Sequence, residues 1–423
     1  MPTTSRQLLV FVTLYVTYVA YYTNRKGYGY WLGHMVIERG IPRHIAALSG
    51  STFEICGGLS KIFLAFLVDV NSPVKVLGLA LTASAGINIL LCAFEDPHVI
   101  AFLWGLNGIV QALGWPAIAK IFMEWFPDPK ERGRWYTLLS TNQNVGSSLL
   151  PLLLPAGIGV WGWKASLWVP GGIGSLCAIF VLVYLKDKPA NSSIANFADS
   201  APMENLPKQE EPPADVMRDI LLNKSLWLLG ITYFFISIIR AFVDDWARIM
   251  LNDLYKITPD LCLVSLQIGG FLGSLFGGAL SDTVFHGKRA PVIGLFSFFL
   301  CVPLFFLSLV ELSPSTSWYF VCVFYFFLGV FSFAPHVLIG LAAREWTPSK
   351  LHSTAGGFVK ALSSVGAACA GAPLGAFVNS YGWRRLLFAA AFMAVLAGMS
   401  MVPLWHNGVW QRRVPAVMKK KAE

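Results

Sequence analysis

Residues 146–164 read GSSLLPLLLPAGIGVWGWK, and residues 366–384 read GAACAGAPLGAFVNSYGWR. Each opens on a glycine, stays mostly apolar, and closes on Gly-Trp followed by a base. The step from the opening glycine to the tryptophan is 17 residues in both. Other pairs fall at similar offsets. Arg25 answers Arg240, VDV at 68–70 answers SDT at 281–283, and EWFP at 124–127 answers EWTP at 345–348. The chain is an internal duplication.

What is duplicated is a membrane bundle. Of 423 residues, 55% are hydrophobic and 13% charged, with mean hydropathy +0.59; soluble domains carry about a quarter charged residues. Apolar runs of about 20 residues recur, each long enough to cross a ~30 Å hydrocarbon core. Lipid requires every backbone polar group to be satisfied internally, so the spans are helices. They are expected at 8–36, 44–68, 74–94, 98–125, 133–158 and 163–185, then at 224–252, 259–281, 289–311, 317–344, 351–379 and 383–405. The first run is too long for a signal peptide and lacks a small-residue cleavage site. Between the sets lies a Pro-, Ser- and acid-rich stretch, read as a disordered tether. The expected division is an N-terminal six-helix bundle at 1–186, a cytoplasmic linker at 187–222, a C-terminal bundle at 223–406 and a basic cytoplasmic tail at 407–423. This is an all-α membrane protein of twelve transmembrane helices in two pseudo-symmetric halves, the architecture of a major facilitator transporter, whose substrate site lies between the halves near mid-membrane.

The net charge of +9 does not point to nucleic acid, because the excess lies in short loops and at the C-terminus. With both ends cytoplasmic, 18 lysines and arginines flank the spans on that side against 6 on the other, the asymmetry of the positive-inside rule. The seven cysteines show no metal-ligand spacing and read as small core residues. Neither HExxH, a GxSxG elbow nor a Walker loop is present. A secondary transporter without metal or cofactor is expected, not an enzyme.

Arg25 stands in YYTNRKGYGYW, residues 21–31, and Arg240 in SIIRAFVDDW, residues 237–246. Each falls about 25 Å along the first helix of its half. An arginine at such depth needs a partner or water. No acid lies within a turn of Arg25, whereas Asp244 follows Arg240 by one turn and could neutralise it locally. Two guanidinium groups facing each other with no fixed anion between them would hold a mobile anion, and their forks match phosphate oxygens. Lys61 and Lys360 extend this basic surface. Glu54 lies ~10 Å from Lys61 along the helix, and is expected to be the structural partner of some base. Tyr22 and Asn24 flank Arg25 and join the candidate site. Runs of glycine at 105, 108 and 114, at 269, 270 and 273, and at 356 and 357 indicate close helix packing. Pro116 and Pro335 should kink the fourth and tenth spans.

NRK at 24–26, GLSKIFLAFLVD at 58–69, NGIVQALGWP at 107–116, SLQIGGFLGSLFGGALSDTVFHGKR at 265–289 and APHVLIGLAAREWTPSKLHSTAGGF at 334–358 resemble the organophosphate:phosphate antiporter family over nearly the whole chain. The resemblance implies exchange of an organic phosphate for inorganic phosphate. Arg25 and Arg240 match that family's two basic substrate ligands, and Lys61 a lysine of its second helix. Gln143 stands where glycerol-phosphate carriers have a histidine, and Gln267 where many members have a glutamate; Lys360 is additional. The NRK triplet and the C-terminus are most similar to the branch that carries glucose 6-phosphate in the endoplasmic reticulum. Residues 419–423 read KKKAE, a dilysine retrieval signal that is read only from the cytosol. The expected partners are a sugar phosphate, inorganic phosphate and the lipid bilayer. The alternatives are a carrier of glycerol 3-phosphate, phosphoenolpyruvate or another anion, and a sensor that binds sugar phosphate without moving it.

Overall fold

The computed structural model describes residues 5–126, 135, 138–188, 220–257, 259–310, 319–347 and 352–405, with the side chains of 62, 63, 65, 66, 69 and 352–354 excepted. The expected tail, the dilysine signal, most of the linker and Lys130, Arg132, Arg134 and Lys350 lie outside them. At the linker's edges, Asp187 accepts a hydrogen bond from Val74 N at 2.9 Å, and Ile220 is already in the core.

The N-terminal half comprises α1 (Ser5–Lys26), α2 (Leu48–Phe63), α3 (Pro73–Leu91), α4 (Pro97–Gln111, resuming at Gly114–Trp125), α5 (Asn142–Trp161) and α6 (Ala165–Tyr184). The C-terminal half comprises α7 (Lys224–Asp245), α8 (Asp260–Thr283), α9 (Arg289–Phe299, then Cys301–Leu309), α10 (Tyr319–Glu345), α11 (His352–Cys369) and α12 (Ala372–Met399). Local chemistry starts several of them. Pro73 and Pro97 each sit in a first helical turn, where the missing N–H is no loss. Asp96 caps α4 by accepting from His98 N and Val99 N at 2.8 and 3.1 Å, and these N–H groups hold its carboxyl below the usual range.

Several expected spans are broken, the first of them where the backbone closely approaches a neighbour. The first runs past Lys26 as Tyr28–Gly33 and a π-helical turn, His34–Glu38. A Cβ on the intervening Gly27 would sit 2.3 Å from Ser166 O of α6. The seventh breaks at Trp246 and continues as Ala247–Tyr255. Pro335 leaves α10 continuous, while α4 is interrupted just before Pro116. Among the described residues, nine helices are long and apolar enough to span a bilayer by composition. The expected spans one, two and eleven fall short of that mark. Tyrosines, threonines and the Arg25–Lys26 pair dilute α1, α2 stops after 16 residues, and α11 is apolar only over Ala355–Cys369.

The duplication is visible at atomic detail. A Cβ on Gly146 would meet Val19 O at 3.0 Å, and one on Gly366 would meet Phe234 O at 2.3 Å. Val19 and Phe234 stand at the same offset as Arg25 and Arg240. The paired Gly162 and Gly382 both take positive φ, 71° and 80°, a conformation open to glycine. Most glycine runs support close contact: Gly108 lies against Phe53 O, and Gly273 against Val330 O. A Cβ on Gly357 would meet nothing within 4 Å, so that glycine serves no such contact.

Among the described residues, the buried apolar core that spans both halves lies on one side. One core joins Trp31, Met35 and Trp104 of the first half to Trp246, Tyr325 and Trp383 of the second. On the side where α1 begins, each half has its own core, around Phe11, Phe122 and Trp125 in one and around Leu229, Phe296 and Trp346 in the other. A gap therefore opens toward the start of α1 and closes beyond Lys26.

Candidate functional site

Helical periodicity decides which side chains of α1 reach the gap. Tyr22 and Arg25 are three apart and share a face. Tyr21 and Asn24 share the other. Tyr21 donates to Leu77 O at 2.9 Å. Asn24 is fully buried, with Nδ2 donating to Ala20 O at 2.9 Å and Pro170 O at 3.0 Å. It ties α1 to α6 inside the N-terminal half, on the face away from Arg25. Tyr22 Oη donates to Gln143 Oε1 of α5 at 3.0 Å, bringing those two expected residues together.

Arg25 is about a third exposed, at 34%, and pairs with Glu54 of α2. This corrects the picture of two arginines with no fixed anion between them. Glu54 is 29 residues away in sequence, so no local pattern links it to Arg25. Arg240 makes no ion pair among the described residues; its guanidinium carbon lies 3.9 Å from the Phe333 ring centroid. The local pairing with Asp244 does not form. Asp244 and Asp245 instead hold Lys26, at 2.6 and 2.9 Å. Lys26 thus bridges the halves, beside a pocket lined by Arg25, Glu54 and Asp245.

Lys360 Nζ donates to Tyr233 Oη at 3.2 Å, and Tyr233 stacks edge-on against His336 with centroids 5.1 Å apart. Lys61 is exposed, yet sits within electrostatic range of Glu54, Arg25 and Lys360. The surface it exposes is therefore that of the gap. Five cations, Arg25, Lys26, Lys61, Arg240 and Lys360, surround three carboxylates, Glu54, Asp244 and Asp245, which leaves a formal excess of two positive charges. A positive excess focused in a gap attracts anions.

Sequence reasoning missed Tyr233 and His336. For Tyr233 a signal existed: its duplicate is Tyr18, one turn before Tyr22. His336 breaks the duplication, since the position after Pro116 is Ala117.

Comparison with known proteins gives the frame for these groups. The chain is 30% identical over 418 residues to a probable hexose phosphate transport protein of Chlamydia trachomatis, covering 95% of this chain and 91% of that one. It is 27% identical to the membrane sensor protein UhpC of Escherichia coli, covering 93% and 91%. With a glycerol-3-phosphate transporter of Bacillus subtilis it shares 25% identity over 95% of this chain and 93% of that one. Among solved structures, an inward-facing, unoccupied bacterial homologue of the human lysosomal transporter Spinster superposes with TM-score 0.77 at 14% identity, covering 97% and 99%. The Major Facilitator Superfamily matches over residues 14–335 and 260–423, and with its duplicated six-helix halves closing on a shared basic gap, this chain belongs to that family.

Proposed function

We propose that the protein is an antiporter that exchanges a sugar phosphate, with glucose 6-phosphate the preferred cargo, for inorganic phosphate by alternating access. The carrying observation is the convergence of Arg25 and Arg240, one from each half, on a gap with a formal excess of two positive charges. A phosphate monoester carries about −1.5 to −2 near neutral pH, which cancels that excess. The hexose-phosphate and glycerol-phosphate carriers among its relatives support the cargo class.

Glu54 refines the mechanism. Its Oε1 pairs with Arg25 Nη2. An incoming phosphate can engage the guanidinium bidentately and with more charge, competes with Glu54 for it, and leaves Glu54 to Lys61 and Lys360, both within its electrostatic range. Cargo then draws Arg25 and Arg240 together, and its higher affinity for the closed state drives the rocking of the halves. Inorganic phosphate presents the same oxygens for the return. In proteoliposomes, uptake of glucose 6-phosphate should require phosphate inside; equal uptake into phosphate-free vesicles would overturn the coupling.

A sensor is the second reading, favoured by the likeness to UhpC. It would bind sugar phosphate without counterflow. The proposed location is the endoplasmic-reticulum membrane with both termini cytoplasmic, on the strength of the 18-to-6 charge asymmetry and the terminal KKKAE. Changing Lys420 and Lys421 to serine should release a tagged protein to later compartments; unchanged retention removes the signal from consideration.

A further inference from the structure

We infer that His336 donates a hydrogen bond to the organic part of the cargo, and that Lys360 and Tyr233 fix the tautomer that lets it do so. The inference rests on the function proposed above and adds the residue that tells a sugar phosphate from inorganic phosphate.

An ammonium has donors and no acceptor, so Lys360 Nζ, at 3.2 Å, donates and Tyr233 Oη accepts. The phenol keeps its own proton; Ser363 lies within its hydrogen-bonding reach, and His336 Nε2 stands at a long 3.5 Å as the ring acceptor. With Nε2 accepting, the ring proton sits on Nδ1. That atom is buried and has no protein partner among the described residues. A buried donor left unpaired loses its hydration without compensation, so such atoms in native structures call for a ligand, water or function.

The surroundings specify the ligand. His336 lies within electrostatic range of Arg240 on α7, Lys360 on α11, Arg25 on α1 and Lys61 on α2. Those cations are the natural partners of a phosphate dianion. An azole N–H adds little to phosphate binding beside them. It is matched to a hydroxyl or ring oxygen, which inorganic phosphate lacks beyond its own acid oxygens. Sites that hydrogen-bond a cargo oxygen discriminate strongly against ligands without it.

The test uses the purified full-length protein in proteoliposomes, with two assays: phosphate/phosphate exchange, and glucose 6-phosphate/phosphate exchange. His336→Phe should raise the KM for glucose 6-phosphate roughly tenfold, in the range of one lost hydrogen bond, and change phosphate exchange by less than about twofold. His336→Asn, whose amide can donate near the Nδ1 position, should recover most of that loss. Tyr233→Phe, which frees the tautomer, should shift the same KM in the same direction but less. Among monodeoxy glucose 6-phosphates, the one lacking the recognised hydroxyl should bind wild type poorly and the Phe variant no worse than the parent sugar does. An equal change in both assays, loss of both, or change in neither overturns the role of His336. A wild-type protein that exchanges phosphate but takes no sugar phosphate overturns the function proposal instead.

Discussion

Arg25 and Lys26 are neighbours in sequence and ~100° apart around α1, and that rotation gives them different fates. Lys26 points to the C-terminal half and is compensated twice, by Asp244 and Asp245. Arg25 points to the gap and shares one carboxylate, which cargo can displace. Arg25→Ala or Arg240→Ala should abolish exchange while the purified protein keeps its helical signal and elution volume; near-normal exchange in either removes that arginine from the site. Glu54→Gln leaves the Arg25 guanidinium unpaired. Because that group is 34% exposed, water screens part of the cost, and a loss of roughly 1–2 kcal/mol is expected rather than the full penalty of a buried pair. The loss should appear as a lower melting temperature without phosphate and should shrink as phosphate is added. Melting equally depressed at saturating phosphate would mean that Glu54 does not compete with cargo.

At the scale of elements, the glycines of the duplicated motif set how closely α1 meets α5 and α7 meets α11. A methyl at Gly366 would stand 2.3 Å from Phe234 O, a backbone atom that can move only with its helix. Gly366→Ala should therefore lower thermal stability by more than about 2 kcal/mol, the scale of overpacking a tight contact. Gly357, in the same helix, has open space. There alanine should be neutral or stabilising, by up to about 1 kcal/mol from helix propensity. Equal effects at the two positions would show that propensity, not the α7 contact, governs both. The duplication and these glycines were legible in sequence. The breaks at Gly27 and Trp246 were not; the first depends on what lies across the contact rather than on the local run.

At the scale of the whole molecule, the halves are closed on one side by polar links as well as by the shared core. Arg43 reaches Asp253 at 2.6 Å, Tyr30 reaches Asp260 at 3.1 Å, and Ser51 Oγ donates to Ala368 O at 2.8 Å. If transport needs these contacts to open, bridging them should stop it. The double variant Ser51→Cys/Ala368→Cys, bridged by a short bis-methanethiosulfonate through two disulfides, should lose exchange but keep phosphate binding from the open side, and reduction of those disulfides should restore transport. Full exchange in the cross-linked protein would rule out rocking about this closure.

The sequence by itself determined the all-helical spanning architecture and the two-fold repeat, because these follow from hydropathy and spacing along one chain. It also singled out Lys61 and Lys360 as bases inside apolar spans, and the family resemblance singled out Gln143. Only the tertiary structure decided which charges meet: Glu54 with Arg25, Asp244 with Lys26, Asn24 turned inward, and Tyr233 with His336 beside Lys360. Such pairings join residues dozens to hundreds of positions apart. They are selected by the energy of burying charges and donors across a helix interface, which no local pattern encodes.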